Sequence, residues 1–288
     1  MKKVIIVGSG PAGISASLYL QRSGRFETTV IHSGAGALEK AESIENYYGF
    51  PEPVSGKQLY ENGIAGAKRL GVSFLNEEVV SLEYDMEMHP VVVTEKTSYS
   101  ADYVILATGS TRKTLRIPGV REFEGKGVSY CAVCDAFFYR NKPVCVIGNG
   151  EYALHEALTL SATSSGVTIL TNGAALKAEV PDNIDVITKK IASIDGETTV
   201  SGVTFEDGDK LITSGVFMAI GVAGSADLAR KVGAETENGK IKVNDKMQTS
   251  LPGLYAAGDC TGGILQVFKA VSDGATAAFS IISELSNL

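Results

Sequence analysis

Two cysteines stand two residues apart in the stretch Tyr130-Cys131-Ala132-Val133-Cys134-Asp135. That spacing suits one helical turn, so both sulfurs can reach bonding distance. At a helix N-terminus the dipole lowers a thiol's pKa and favours thiolate attack on a disulfide. Asp135 follows directly and could protonate a leaving thiolate or take its proton. The competing chemistry for such a pair is half of a metal site. No second Cys/His pair lies at a useful spacing, and His32, His89 and His155 are isolated from one another and from the cysteines, so no metal is expected. Cys145 falls inside a β-branched run and reads as a buried apolar residue. Cys260 follows Gly258 and Asp259 in a loop, where it is either inert or close to a cofactor.

Two glycine turns carry the second kind of chemistry. In Gly8-Ser9-Gly10-Pro11-Ala12-Gly13, Gly8 permits a tight turn, Gly10 lets a pyrophosphate approach the backbone, and Gly13 lets helix and strand pack closely. The phosphate would rest on the helix N-terminus, where Pro11 costs nothing because that N–H has no intrahelical partner. The acid that usually grips a ribose about 20 residues on is missing, so His32 or Ser33 is expected there instead. The second turn, Gly148-Asn149-Gly150-Glu151-Tyr152-Ala153, has the form GxGxxA. The strand after its helix ends at Leu170 and runs into 171–177. NAD calls for an acid there and NADP for arginines, and only Lys177 is near. This turn has the shape of a dinucleotide site without its reading residues.

These groups need elements to hold them. Residues 4–20 and 144–160 share one template: a β-branched strand, a glycine turn, then a helix-period stretch ending in leucines. Each reads as the first βα unit of a doubly wound sheet. Further strands are predicted at 28–33, 90–96, 102–110, 166–170, 185–191, 214–221 and 253–260, with a closing helix over about 265–285. The fold class is therefore α/β, with two Rossmann-like, three-layer nucleotide-binding domains, the second inserted in the first. A Pro- and Gly-bearing linker is expected at 113–119 and a return near 243–246. That gives a discontinuous domain of 1–113 plus 245–288, and a second domain of 114–244.

Composition bounds the rest. With 288 residues, 44% hydrophobic and 20% charged, the chain is globular and long enough for two cores. Glycine is in excess, 32 residues, with no G-X-Y period or Gly/Ser tract, which excludes collagen and flexible linkers. A net charge of −7 gives no general footprint for nucleic acid or anionic membrane. No run approaches a spanning helix, and the apolar stretch before Gly8 is too short for a signal-peptide core, so a cytoplasmic address is expected.

Taken in order, GSGPAG, Ile44-Glu45-Asn46-Tyr47-Tyr48-Gly49-Phe50, Ala107-Thr108-Gly109, CAVCD with the following FFYRNKPVCVIGNGEYA, and GLYAAGDC with Gln266 resemble the low-molecular-weight flavin thioredoxin reductases along essentially the whole chain. The resemblance implies FAD in the first domain. Gly8, Ser9, Gly10, Pro11, Ala12 and Gly13 would hold its pyrophosphate. His32, Ser33, Gly36, Asn46, Thr108 and Gly109 would lie along the cofactor. Gly258, Asp259, Gln266 and Val267 would lie near ribitol and flavin. It also implies Cys134 against the isoalloxazine, Cys131 attacking the substrate disulfide, Asp135 as acid/base, thioredoxin as substrate, a homodimer, and rotation between domains. The family's HRR-x-x-x-R stretch is replaced by 171–177, and Leu265 stands where an arginine is expected before Gln266. Members lacking these signatures resemble the ferredoxin-dependent flavin thioredoxin reductases, so ferredoxin is the expected donor, docking on basic residues such as Arg112, Lys113 and Arg116. A divergent NAD(P)H pocket using Lys177, a flavin dithiol oxidase and a non-catalytic flavin redox sensor are the alternatives.

Overall fold

The computed structural model describes residues 1–34, 36–109 and 115–285. The chain forms two compact units, 1–111 with 224–288, and 112–223. The first segment of unit 1 runs β1 (Lys2–Val7), α1 (Pro11–Arg22), β2 (Phe26–His32), α2 (Gly56–Arg69) and β3 (Ser73–Asn76). It continues through β4 (Val79–Tyr84), β5 (Pro90–Thr94), β6 (Ser98–Ser100) and β7 (Tyr103–Leu106). The inserted unit 2 begins with β8 (Val128–Ser129), α3 (Ala132–Asp135), β9 (Pro143–Ile147), α4 (Glu151–Ser161), β10 (Gly166–Leu170) and β11 (Asp185–Ile187). It ends with β12 (Ile191–Gly196), β13 (Val200–Phe205), β14 (Lys210–Ile212) and β15 (Gly215–Met218). The chain then re-enters unit 1 as α5 (Ser225–Lys231), β16 (Thr236–Glu237), β17 (Lys240–Ile241), β18 (Leu254–Ala256) and α6 (Val267–Glu284).

Each unit is built on a five-stranded sheet with parallel neighbours. The orders are β18-β7-β1-β2-β3 and β11-β10-β9-β15-β8. This is the nested pair of Rossmann-like folds that the repeat at 4–20 and 144–160 predicts. Strands β1 and β9 are continuous β-branched runs because both their faces are covered. In unit 1, α1 lies backbone to backbone on α6: a Cβ on Gly274 would stand 2.0 Å from the Ala12 carbonyl. Ala16, Ala277 and Ala278 keep that approach close and are fully buried.

The differences from expectation have local causes. The predicted strand at 90–96 is β5, which pairs antiparallel with β4 and β6 and stands apart from the main sheet. The stretch 185–191 splits into the edge strand β11 and the start of the antiparallel β12. Of the expected linker, Lys113 and Thr114 lie outside the described residues. Ile117 is core of unit 2, and Gly119, at φ +90°, touches Ile194, so this stretch is packed structure. The chain re-enters unit 1 at Gly224, ahead of 243–246, because α5 packs on β4 and Ser225 is bonded to Thr108.

Candidate functional site

Unit 1 holds the first glycine turn. Gly8 sits at φ +112°, and a Cβ there would stand 2.4 Å from the Ala107 carbonyl. A Cβ on Gly13 would stand 2.0 Å from the Gly8 carbonyl. A Cβ on Gly10, by contrast, would meet no atom within 4 Å. Gly10 caps α1, no side chain bonds its cap, and its first turn carries no acid. Two glycines are thus required by the fold, and the third opens a gap at the N-terminus of α1, whose first-turn N–H groups have no intrahelical partner. That is the cradle a pyrophosphate needs.

The other residues expected to contact the cofactor lie in unit 1. Ser9 is buried, its hydroxyl 3.0 Å from Tyr60 Oη, while Ala12 is packing against α6 and the Gly258 turn. His32 ends β2 with its ring edge-on to Phe74, and its buried Nδ1 has no hydrogen-bond partner among the described residues. Ser33 and Gly36 follow, exposed. Asn46 Nδ2 donates to Gln266 Oε1 at 3.2 Å, joining residues from opposite ends of the chain just before Val267 opens α6. The Thr108 amide donates to Ser225 Oγ at 3.0 Å, the Ser225 amide donates to Thr108 Oγ1 at 2.8 Å, and Gly109 turns the chain at φ +75°.

A network that the sequence reading missed fixes the turn at Gly258. Gly258, at φ +85°, donates its N–H to Asp273 Oδ2 at 3.0 Å. Lys269, one helical turn before Asp273, pairs with that carboxylate at 2.6 Å and donates to Thr261 Oγ1 and the Gly262 carbonyl. Lys240 donates to the Asp259 carbonyl at 2.8 Å. The i,i+4 spacing of Lys269 and Asp273 was the available signal. Cys260 is buried in this turn, and burial pushes its thiol up to about 11.

Unit 2 holds the cysteines. Cys131 and Cys134 form a disulfide, with Cα atoms 5.3 Å apart. Cys131 caps α3, its Sγ accepting the Cys134 N–H at 3.2 Å. The two ends differ in access: Cys131 is 3% exposed, whereas Cys134 lies at the surface. Asp135 is linked to the pair through Ser129, whose hydroxyl donates to Asp135 Oδ2 at 2.6 Å and accepts the Cys131 N–H at 3.1 Å. Burial, and then the charge of Asp135, push the neighbouring Tyr139 phenol up. Val133, Phe137 and Phe138 are exposed beside the pair. Glu156 on α4, also absent from the sequence reading, accepts the Ala132 N–H at 2.8 Å. Cys145 is buried in β9, and burial pushes its thiol up to about 12.

The second glycine turn keeps the geometry of the first, since a Cβ on Gly148 would stand 2.1 Å from the Ala219 carbonyl. Its surroundings differ. The carboxylate Glu151 stands in the first turn of α4. The segment after β10 folds back on the turn: Asn149 Nδ2 donates to the Ala175 carbonyl, and the Lys177 N–H donates to the Asn149 carbonyl, both at 2.8 Å.

The family model for pyridine nucleotide-disulphide oxidoreductases matches residues 2–274. A thioredoxin reductase of Treponema pallidum (strain Nichols) is 37% identical over 303 aligned residues, covering 99% of this chain and 97% of its own length. The crystal structure of the atypical thioredoxin reductase TRi from Desulfovibrio vulgaris Hildenborough superposes with a TM-score of 0.93 at 36% identity, covering 100% of this chain and 99% of that one. A ferredoxin-flavin thioredoxin reductase from Clostridium acetobutylicum superposes with a TM-score of 0.73 at 32% identity, again over 100% and 99%. The family's cofactor is FAD, and the open cradle at Gly10 fits its pyrophosphate. Family match, fold and disulfide agree: the chain belongs to the pyridine nucleotide-disulphide oxidoreductases and, among them, to the low-molecular-weight thioredoxin reductases, flavoprotein disulfide oxidoreductases.

Proposed function

We propose that this thioredoxin reductase takes its electrons from reduced ferredoxin and delivers them to thioredoxin through Cys131 and Cys134. The observation that carries the donor assignment is the second glycine turn. Its neighbouring segment is hydrogen-bonded back onto Asn149, offers no arginine for a 2′-phosphate, and faces a helix whose first turn already holds Glu151. A carboxylate at the positive end of a helix takes the place a pyrophosphate would use and repels it. The first turn, on α1, carries no such acid. Likeness to a protein described as a ferredoxin-flavin enzyme supports the same reading.

In this reading Gly8 to Gly13, His32, Ser33, Gly36, Asn46, Thr108, Gly109, Gly258, Asp259, Gln266 and Val267 hold FAD. The bound flavin accepts electrons singly or in pairs, which suits a one-electron donor and a two-electron disulfide. Asp135, held by Ser129, manages the proton at the pair. Cys131 attacks the substrate disulfide, which requires that it leave its buried setting. The exposed apolar side chains Val133, Phe137 and Phe138 offer thioredoxin a surface beside the pair. Exposed Tyr19 and Phe279, with rings 4.8 Å apart on α1 and α6, support a homodimer, to be checked by light scattering.

Anaerobic flavin bleaching by reduced ferredoxin, NADPH and NADH in one preparation is the deciding experiment. Ferredoxin is expected to bleach the flavin and the nucleotides are not. Rapid bleaching by NADPH or NADH alone overturns the donor assignment in favour of a divergent nucleotide pocket. Peroxide formation on addition of dithiols marks an oxidase, and no turnover with any donor marks a sensor. Cys131→Ser is expected to abolish thioredoxin turnover.

A further inference from the structure

We propose that Tyr60 is a further FAD-binding residue, whose hydroxyl pairs with that of Ser9 and donates a hydrogen bond to the pyrophosphate. The inference rests on the reading of Gly8 to Gly13 as the pyrophosphate cradle. Tyr60 belongs to α2, and its Oη stands 3.0 Å from the Oγ of Ser9, the second residue of that turn. Both side chains line one cavity with Gly10 and Pro11, the residues that open α1. Gly56, Tyr60 and Gly63 follow at i, i+4 and i+7, and so share one face of α2. A Cβ on Gly56 would collide with the Leu38 carbonyl, and one on Gly63 would stand 3.2 Å from Ile14 Cγ2. Glycine weakens a helix, yet here two of them let the face that carries Tyr60 come close to its neighbours.

Proton counting shows what the pair can offer a ligand. Two hydroxyls bring two protons, and one of these lies between the two oxygens. If Ser9 accepts from Tyr60, its own proton goes to the Gly34 carbonyl at 3.4 Å, which is long for a bond between oxygens. If Ser9 donates to Tyr60, the Tyr60 proton is left for another acceptor, and a pyrophosphate oxygen at Gly10 would supply one in the same cavity. A hydrogen bond to a charged acceptor is stronger than one between neutral groups, so a bound pyrophosphate selects the second arrangement. Packing of α2 requires only the ring of Tyr60. The hydroxyl, set against the second residue of the cradle, is the part that a phosphate ligand accounts for.

The test uses the full chain, stripped of FAD and titrated with it by flavin fluorescence, and the phosphorus NMR spectrum of the reconstituted holoprotein. Tyr60→Phe keeps the ring and removes the hydroxyl. It is expected to weaken FAD binding at least about fivefold and to move at least one pyrophosphate resonance. A smaller loss of affinity overturns the proposal. So does a full loss with unmoved resonances, which would leave Tyr60 as packing alone. Should Tyr60→Phe fail to fold, Ser9→Ala decides by the same two readouts, since it removes the other half of the pair. Gly10→Ala is the control for the cradle itself. If Gly10→Ala binds FAD weakly while Tyr60→Phe binds it as the natural protein does, only the Tyr60 assignment falls. If Gly10→Ala also binds as the natural protein does, the cradle reading falls with it, and so the two failures are distinct.

Discussion

The four cysteines occupy three different environments, and their reactivity should separate accordingly. Cys145 and Cys260 are buried free thiols whose pKa values burial pushes up to about 12 and about 11. Thiolate is the reactive form, so both should resist iodoacetamide in the native protein and react only after unfolding. Within the reduced pair, the surface residue Cys134 should alkylate at least about fivefold faster than the buried Cys131. Equal rates, read by peptide mass spectrometry, would mean that Cys131 is freely accessible at rest. The same burial makes a pH prediction. Folding raises these thiols above their unfolded value, so the stability they contribute is complete below about pH 9 and is lost as pH climbs toward about 12. Tyr84 and Tyr103, pushed up to about 12 by burial, add in the same direction. Melting temperature should therefore fall above about pH 9, and Cys145→Ala should make that fall shallower. An unaltered slope in the variant would assign the loss to the tyrosines.

The two βα turns show what the sequence makes legible at the scale of elements. Strand, glycine spacing and helix period were enough to place both parallel sheets, because a parallel strand covered on two faces is a continuous apolar run. Helix α2 was not legible: Gly56, Gly63 and Gly66 weaken its helical signal, although Gly63 is needed where α2 meets Ile14. The short antiparallel strands were missed in part because three residues, as in β6, carry no period. Site contacts such as Asn46 to Gln266 and Thr108 to Ser225 join distant segments, and local pattern holds no record of them. Geometry also separates the jobs of glycines that the motif treats alike. Gly10→Ala meets no protein atom, so the FAD-free fold should change by less than about 0.5 kcal/mol. Its FAD affinity should nonetheless fall at least about tenfold, because the new methyl enters the phosphate gap. Gly13→Ala drives a methyl into the Gly8 carbonyl and should cost about 3 kcal/mol of stability. FAD titration and urea melts of the two variants test this; equal stability losses would dissolve the distinction.

At the scale of the molecule, charge makes the donor question physical. The chain carries a net charge of −7, and an acidic ferredoxin is repelled by that total. Productive docking then requires a local basic patch whose attraction exceeds the repulsion at contact distance. Arg112 and Lys113, the first residues expected in such a patch, lie outside the described residues. Arg116 is the nearest described candidate, exposed and directly before the core residue Ile117 of unit 2. The two effects respond oppositely to salt. Screening lengths shrink from about 30 Å at 0.01 M to about 8 Å at 0.15 M, so added salt relieves a dominant repulsion and weakens a dominant attraction. The second-order rate of flavin reduction by reduced ferredoxin should fall at least about fivefold across that range. Arg116→Glu should lower the rate at low salt and converge on the natural protein at high salt, since steering acts on encounter. Stopped-flow bleaching at several ionic strengths measures both. A rate that rises with salt would show that the net charge governs the encounter, and would remove the patch from the docking of ferredoxin while leaving the fold and the disulfide untouched.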